Sequence, residues 1–176
     1  MDFKDLVQKR RSIRRFTDEK LTPEQVETIL RAALMSPTSK SSRAWHFVVV
    51  DDEDKIKRMA QCKSAGAEFV EGAPIVVAVL MDTTQTDVWI EDASIAAVTM
   101  QYQAADLGLG SCWAQVRERG FEDGTMADDV LRELLAYPDH LTCLCLIAIG
   151  HPAMERKPQD EAKLKWEAVH VNQFKA

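Results

Sequence analysis

Two uninterrupted apolar runs constrain this chain more than any other feature: PIVVAVLM at 74–81 and LTCLCLIAIG at 141–150. A strand with one wet face alternates apolar and polar residues, and these do not. Both are too short to span a bilayer. They are expected to be buried strands, with PIVVAVLM central and covered on both faces. A sheet covered on both sides needs other elements to cover it.

Those elements are legible. LTPEQVETILRAALMSP predicts a helix: Thr22 caps it, Pro23 suits its first turn, Gln25 completes a capping box and Pro37 marks its end. Phe3, Leu6, Val7 and Arg10 share a helical face over 2–11. A short helix is expected over 54–60 and another over 65–71. A long alanine-rich helix over about 88–107 stops at Gly108 and Gly110, and is apolar on more than one side. Thr125 with Asp128 is expected to cap a helix over 126–136. WHFVVV (45–50) and GSCWAQV (110–116) complete a set of four strands. Helices and strands mix without a βαβ rhythm, so the expected class is α+β. No repeat or domain boundary interrupts the 176 residues, and one domain is expected over 1–176. The stretch 152–176 is polar and lysine-rich, and cannot form a core by itself.

The chain is 46% apolar and 28% charged, with a net charge of −6. That acidity argues against a general nucleic-acid binder. With no apolar leader at the start, a cytoplasmic protein without a membrane partner is expected. The four cysteines, Cys62, Cys112, Cys143 and Cys145, show no CxxC spacing and are expected to be reduced and buried. Alternation predicts that Cys143 and Cys145 share one strand face. The four histidines are scattered without ligand spacing, so no metal site is expected.

Three stretches can carry chemistry. KRRSIRRF (9–16) packs four arginines and a lysine into eight residues. Guanidinium forks and a hydroxyl at a helix end can saturate a phosphate, or the stretch is a solvated helix end. SPTSKSSRAW (36–45) offers amides and hydroxyls to a polar heterocycle, or is an ordinary turn. GLGSCWAQVR (108–117) lets the backbone approach a ligand closely, or is a helix cap running into a strand.

In this order and spacing, RRSIRRF, LTPEQVETIL, SPTS followed by W-FVVV, EDASIAA leading into LGLGSCW, and AIGHPA resemble the FMN-dependent nitroreductase family. The resemblance implies an α+β fold with a mainly antiparallel central sheet flanked by helices. It also implies an intertwined homodimer, with residues 152–176 wrapping the partner. Each of two interfacial sites would hold tightly bound FMN. Arg10, Ser12 and Arg14, with Arg11, would hold its phosphate and ribityl chain. Pro37, Thr38, Ser39 and Ser41 would touch the ring from the other subunit. Cys112, Trp113, Ala114, Gln115 and Arg117 would pass along it, and Lys163 and Lys165 would complete the phosphate site. NADH or NADPH would donate hydride in ping-pong turnover to nitroaromatic, quinone or similar acceptors, and no catalytic side chain is implied. A reductase or dehalogenase of one metabolite, and a non-enzymatic flavin-binding or sensing protein, stand as alternatives. The family's Asn-x-Gln-Pro-Trp is replaced by Ser41-Ser42-Arg43-Ala44-Trp45. Arg43 suits a surface salt bridge, or a contact to substrate or to a nicotinamide phosphate.

Overall fold

The fold is built on the two apolar runs. The computed structural model describes residues 2–174. Strands β1 (Trp45–Val50), β2 (Ile75–Asp82), β3 (Gly110–Gln115) and β4 (Leu141–Gly150) form one sheet in the order β1-β2-β4-β3. All three pairings are antiparallel. Both apolar runs are the central strands, and every residue of β2 is buried. The shorter β1 and β3 lie at the edges, where a strand with a half-exposed face is tolerated.

Helices cover both faces. On one, Ile56, Met59 and Leu131 from α3 (Glu53–Ala60) and α5 (Ala127–Leu135) meet Val76, Ala78, Leu80, Leu146 and Ala148. On the other, α2 (Pro23–Leu34) and α4 (Trp89–Asp106) bring Ile29, Ala33, Ala93, Ala97 and Met100 onto Val77, Val79, Met81 and Ile147. Alanine at the α4 contact lets that helix lie close to the sheet. Helix α1 (Phe3–Lys9) packs on α4.

The predicted cap of α2 forms. Thr22 Oγ1 accepts from the Gln25 amide at 3.2 Å while Gln25 Oε1 accepts from the Thr22 amide at 2.8 Å, a closed capping box. All four cysteines are free and buried. Three expectations need correction. The 65–71 helix is a single 3₁₀ turn, Glu68–Gly72. No side chain caps α5. Asp128 instead accepts from the Tyr137 hydroxyl at 2.6 Å and the Cys143 amide at 2.7 Å, and pairs with Arg132 at 2.6 Å, tying α5 to the start of β4. Finally, Cys143 and Cys145 do not share a face. The register slips between Val79 and Leu80, which oppose Cys145 and Cys143. Leu144 is the extra residue, and it reverses the alternation, so Cys143 joins the α3–α5 core and Cys145 the α2–α4 core.

Within the chain α4 buries a single stripe: Asp92, Ala93, Ala96, Ala97, Met100, Gln101 and Ala104. Its other side leaves Ile95 and Val98 exposed. The C-terminal stretch divides. Residues 153–159 lie against the chain's own N-terminal segment: the Ala153 amide donates to Arg15 O at 2.9 Å and the Gln159 amide to Gln8 O at 2.8 Å. Beyond them Leu164, Trp166, Val169, Val171 and Phe174 are all exposed, Trp166 by 71% and Phe174 by 78%.

Candidate functional site

Helix α1 stops at Arg10, whose backbone is extended while its amide still closes on Leu6 O at 2.9 Å. The chain then runs alongside β3. Ser12 bridges Ser111 in parallel, and the Ile13 amide donates to Ser111 O at 2.9 Å. Gly110 permits this approach, because a Cβ there would sit 2.7 Å from Ile13 Cγ2 and 2.8 Å from its Cβ. With Ile13 turned inward, the flanking cations are left outside. Arg10, Arg11, Ser12 and Arg14 line one open groove of about 280 Å³ with Arg156 and Gln159. Among the described residues no carboxylate lines it. Aromatic rings set two of the guanidinium groups, Arg10 over Tyr102 at 5.8 Å and Arg14 over Phe69 at 5.7 Å. Arg11 donates to the Lys157 carbonyl, which fastens the 153–159 strap across the groove.

Arg156 was not singled out by the sequence. Its signal is a basic residue shortly after a central strand, and only the strap's path makes it meaningful. Within one chain Lys163 and Lys165 do not reach this groove; both are exposed, and Lys163 lies 3.8 Å from Asp160.

The loop after α2 is held differently. Ser36 Oγ donates to Ala33 O at 2.6 Å, and Pro37 ends the helix. Ser39–Ser41 form a 3₁₀ turn in which Lys40 (φ 52°) and Ser41 (φ 54°) are left-handed, as is Arg43 (φ 50°) beyond it. Three non-glycine residues in that region are strained, and persist only where surroundings impose the shape. The Arg43 amide donates to Thr38 Oγ1 at 3.2 Å. Asp92, 3% exposed in the first turn of α4, does the rest. Its carboxylate accepts from the Ser39 amide at 2.9 Å and from Ser42 Oγ at 3.3 Å. Asp92 too was missed, although a carboxylate inside the alanine stripe of a buried helix is its visible trace. The Arg43 side chain forms no ion pair among the described residues.

Strand β3 separates its predicted residues by face. Trp113 Nε1 donates to Gln115 Oε1 at 2.9 Å, and Gln115 Nε2 donates to Arg117 O at 3.1 Å. The Arg117 guanidinium lies 5.9 Å over Trp89 and pairs with Glu118 at 2.5 Å. Cys112 and Ala114, each 1% exposed, are turned inward. Ala114 lies opposite Leu146 and turns its backbone groups to β4, whereas those of Trp113 and Gln115 face the free edge. Burial pushes the Cys112 thiol up against the opposing pull of Arg14, so it is a poor nucleophile.

These pieces sit at opposite ends of α4. The loop is anchored at Asp92, and Arg10 lies over Tyr102, ten positions later and about 15 Å along the axis. The chain therefore unites Arg10, Arg11, Ser12 and Arg14 beside Cys112. It links Trp113, Gln115 and Arg117, and it holds Pro37, Thr38, Ser39 and Ser41 apart from the arginine groove.

Known proteins share this fold. The sequence pattern of the nitroreductase family matches residues 7–67 and 61–151. The solved structure of an FMN-dependent nitroreductase from Clostridium difficile R20291 superposes with a TM-score of 0.94 and 44% identity, covering 96% of this chain and 98% of that one. An Archaeoglobus fulgidus protein described as a candidate NADH dehydrogenase/NAD(P)H nitroreductase is 32% identical over 155 residues, 86% of each chain. A Bacillus subtilis FMN reductase (NADPH) is 29% identical over 81% of this chain and 63% of its own length. The chain belongs to the nitroreductase family.

Proposed function

We infer that the chain is an FMN-dependent NAD(P)H oxidoreductase acting as a homodimer, with each site shared between two copies. The observation that carries this is the groove of Arg10, Arg11, Ser12, Arg14 and Arg156, whose lining among the described residues holds no carboxylate. A phosphate monoester suits it in charge and in donor geometry. Family membership supports FMN as that ester.

Arg10, Ser12 and Arg14 hold the phosphate end, with Arg11 and Arg156 closing it. The free edge of β3 presents the Trp113 backbone and the Gln115 amide to the flavin ring, the Gln115 carbonyl being bonded to Lys63. The Asp92-anchored loop, through Pro37, Thr38, Ser39 and Ser41, meets the ring from the second copy. FMN supplies the relay of hydride from NADH or NADPH to an acceptor. The chain's own task is to bind, orient and leave one ring face open for donor and acceptor in turn, which is the basis for ping-pong turnover. Nitroaromatics and quinones suit such an open site.

Two features support the dimer. The loop and the groove lie at opposite ends of α4, and a second copy running antiparallel along that helix brings the loop of one to the groove of the other. Ile95 and Val98 are the exposed apolar side chains on the surface it would cover. The tail supplies the second. Trp166, Val169, Val171 and Phe174 have no core of their own, while an apolar groove of about 1010 Å³ lies between α2 and β1, lined by Leu21, Val26, Leu30, Leu34, Val49 and Ile75. A tail from the partner buries both surfaces at once. Lys163 and Lys165 ride on that tail and reach a phosphate only by way of the second copy.

The test is direct. The purified protein should be yellow or take up FMN, elute as a dimer, and bleach anaerobically with NADH or NADPH. Colourless protein that cannot be reconstituted with FMN overturns the reading.

A further inference from the structure

Lys63 is the one cation among the buried polar residues of the described chain, at 9% exposure. It lies in the turn after α3, fixed on its far side by the Ser64 amide donating to Gly120 O at 3.3 Å. Its ammonium donates to the Gln115 carbonyl at 2.8 Å. No carboxylate pairs with it among the described residues. Glu68, the acidic neighbour whose field it feels, commits both oxygens to the Gly66 amide at 2.9 and 3.0 Å. Burial lowers the Lys63 pKa, the direction expected for a cation short of counter-charge.

A buried ammonium with one neutral acceptor is an unfavourable way to fill space, and a methionine would occupy similar volume without desolvating a charge. Its position suggests what the charge does. On an antiparallel edge strand, residues two apart send their carbonyls the same way. Ser111 O points outward to the Ile13 amide, and Gln115 O points outward to Lys63. The free edge of β3 is thus pinned at its start by the arginine segment and at its end by Lys63, with Trp113 between. On the functional reading above, that edge runs along the flavin.

We propose that Lys63 is a positioning residue of the FMN site: it fixes the end of the β3 edge through the Gln115 carbonyl, and its unpaired charge favours the reduced, more negative form of the cofactor. The proposal rests on the functional reading of the preceding section. A fixed charge inside the protein is weakly screened and needs no reorganisation when the flavin gains electrons.

The experiment measures the midpoint potential and the affinity of bound FMN in wild type, Lys63→Gln, Lys63→Met and Lys63→Arg. Glutamine keeps a donor for Gln115 O without the charge; methionine removes both; arginine keeps the charge. Lys63→Gln and Lys63→Met should bind the reduced form about tenfold less well relative to the oxidised form, a fall of about 30 mV for a two-electron couple. Lys63→Arg should hold the wild-type potential. Lys63→Met should also bind oxidised FMN more weakly and change Trp fluorescence, and Lys63→Gln should do neither. A wild-type potential in Lys63→Gln overturns the role of the charge. Unchanged FMN affinity and fluorescence in Lys63→Met overturn the positioning role. Should Lys63→Met fail to fold, Lys63→Gln against Lys63→Arg still decides the role of the charge. Wild-type protein that takes up no FMN overturns this proposal together with the functional reading, whereas unaltered variants of an FMN-loaded wild type overturn this proposal alone.

Discussion

The two polar stretches that follow the first two helices are held by opposite means. Residues 11–17 are fixed by backbone: bridges to Ser111 and Pro152, and amides donating to Ser111 and His151 carbonyls at 2.9 Å. Apart from Ile13, their side chains are largely released from structural work, which is why Arg11 and Arg14 can face one groove with Arg10 and Arg156. Residues 37–43 pair with no strand. A single buried carboxylate and three left-handed residues impose their shape. The first stretch should tolerate changes at its outward-facing arginines and lose only ligand; the second should lose its fold with one side chain.

The largest expected effect breaks the second stretch. Asp92→Ala leaves the Ser39 amide and Ser42 hydroxyl without their acceptor, at a cost of about 2–4 kcal/mol in urea unfolding. Flavin loading should fall with it. A variant of wild-type stability would show that the loop does not depend on Asp92. The matching break in the first stretch is at the backbone. Gly110→Ala drives a methyl into Ile13 and should cost about 1–3 kcal/mol, since Ile13 is packed and cannot simply turn aside. Free accommodation would mean that the arginine segment is loosely docked.

Arg10→Ala sharpens the contrast. Stability should change by less than about 0.5 kcal/mol, while FMN binding by fluorescence titration weakens by about 1–3 kcal/mol. Equal affinity in mutant and wild type removes Arg10 from the phosphate site. Smaller again is an acid-limb effect beside the loop's exit. The Asp82 amide donates to Ala44 O at 2.8 Å, and the Thr84 and Gln85 side chains hold the Asp82 carboxyl down to about 2. Its unfolded value is about 3.9. The stability it contributes is therefore complete above about pH 4 and is lost as pH falls through about 2. Asp82→Asn should flatten that part of an acid titration of stability; an unaltered acid limb would exclude the contribution. The smallest effect is expected at the exposed tail. Lys163→Ala with Lys165→Ala should reduce FMN affinity less than Arg156→Ala does, and the reverse order would move the closing contact from the strap to the tail.

Much of this was legible early because its chemistry is local. Thr22 and Gln25 cap α2 in the predicted way because the partners are three residues apart. The central strands declare themselves through missing alternation. The arginine segment was recognisable from its density of charge. Asp92 and Arg156 were not, because each acts on residues distant in sequence. Cys143 and Cys145 were misplaced because a bulge at Leu144 arises from pairing with β2, which no local pattern records. The α5 cap failed for a related reason: Asp128 found better donors in Tyr137 and Cys143, which only the packed structure brings near.

The sequence by itself determined the covered sheet, most of the helices that cover it and a dense run of cations, since burial pattern, caps and charge density are properties of neighbours along the chain. Only the tertiary structure decided which cations share the groove, that a buried carboxylate shapes the second loop, and that Lys63 meets Gln115. Those contacts join residues 52 or more positions apart, or, for Asp92 and Ser42, 50 apart. Their energy depends on burial and on distances of a few ångströms, and both exist only after the layers have closed.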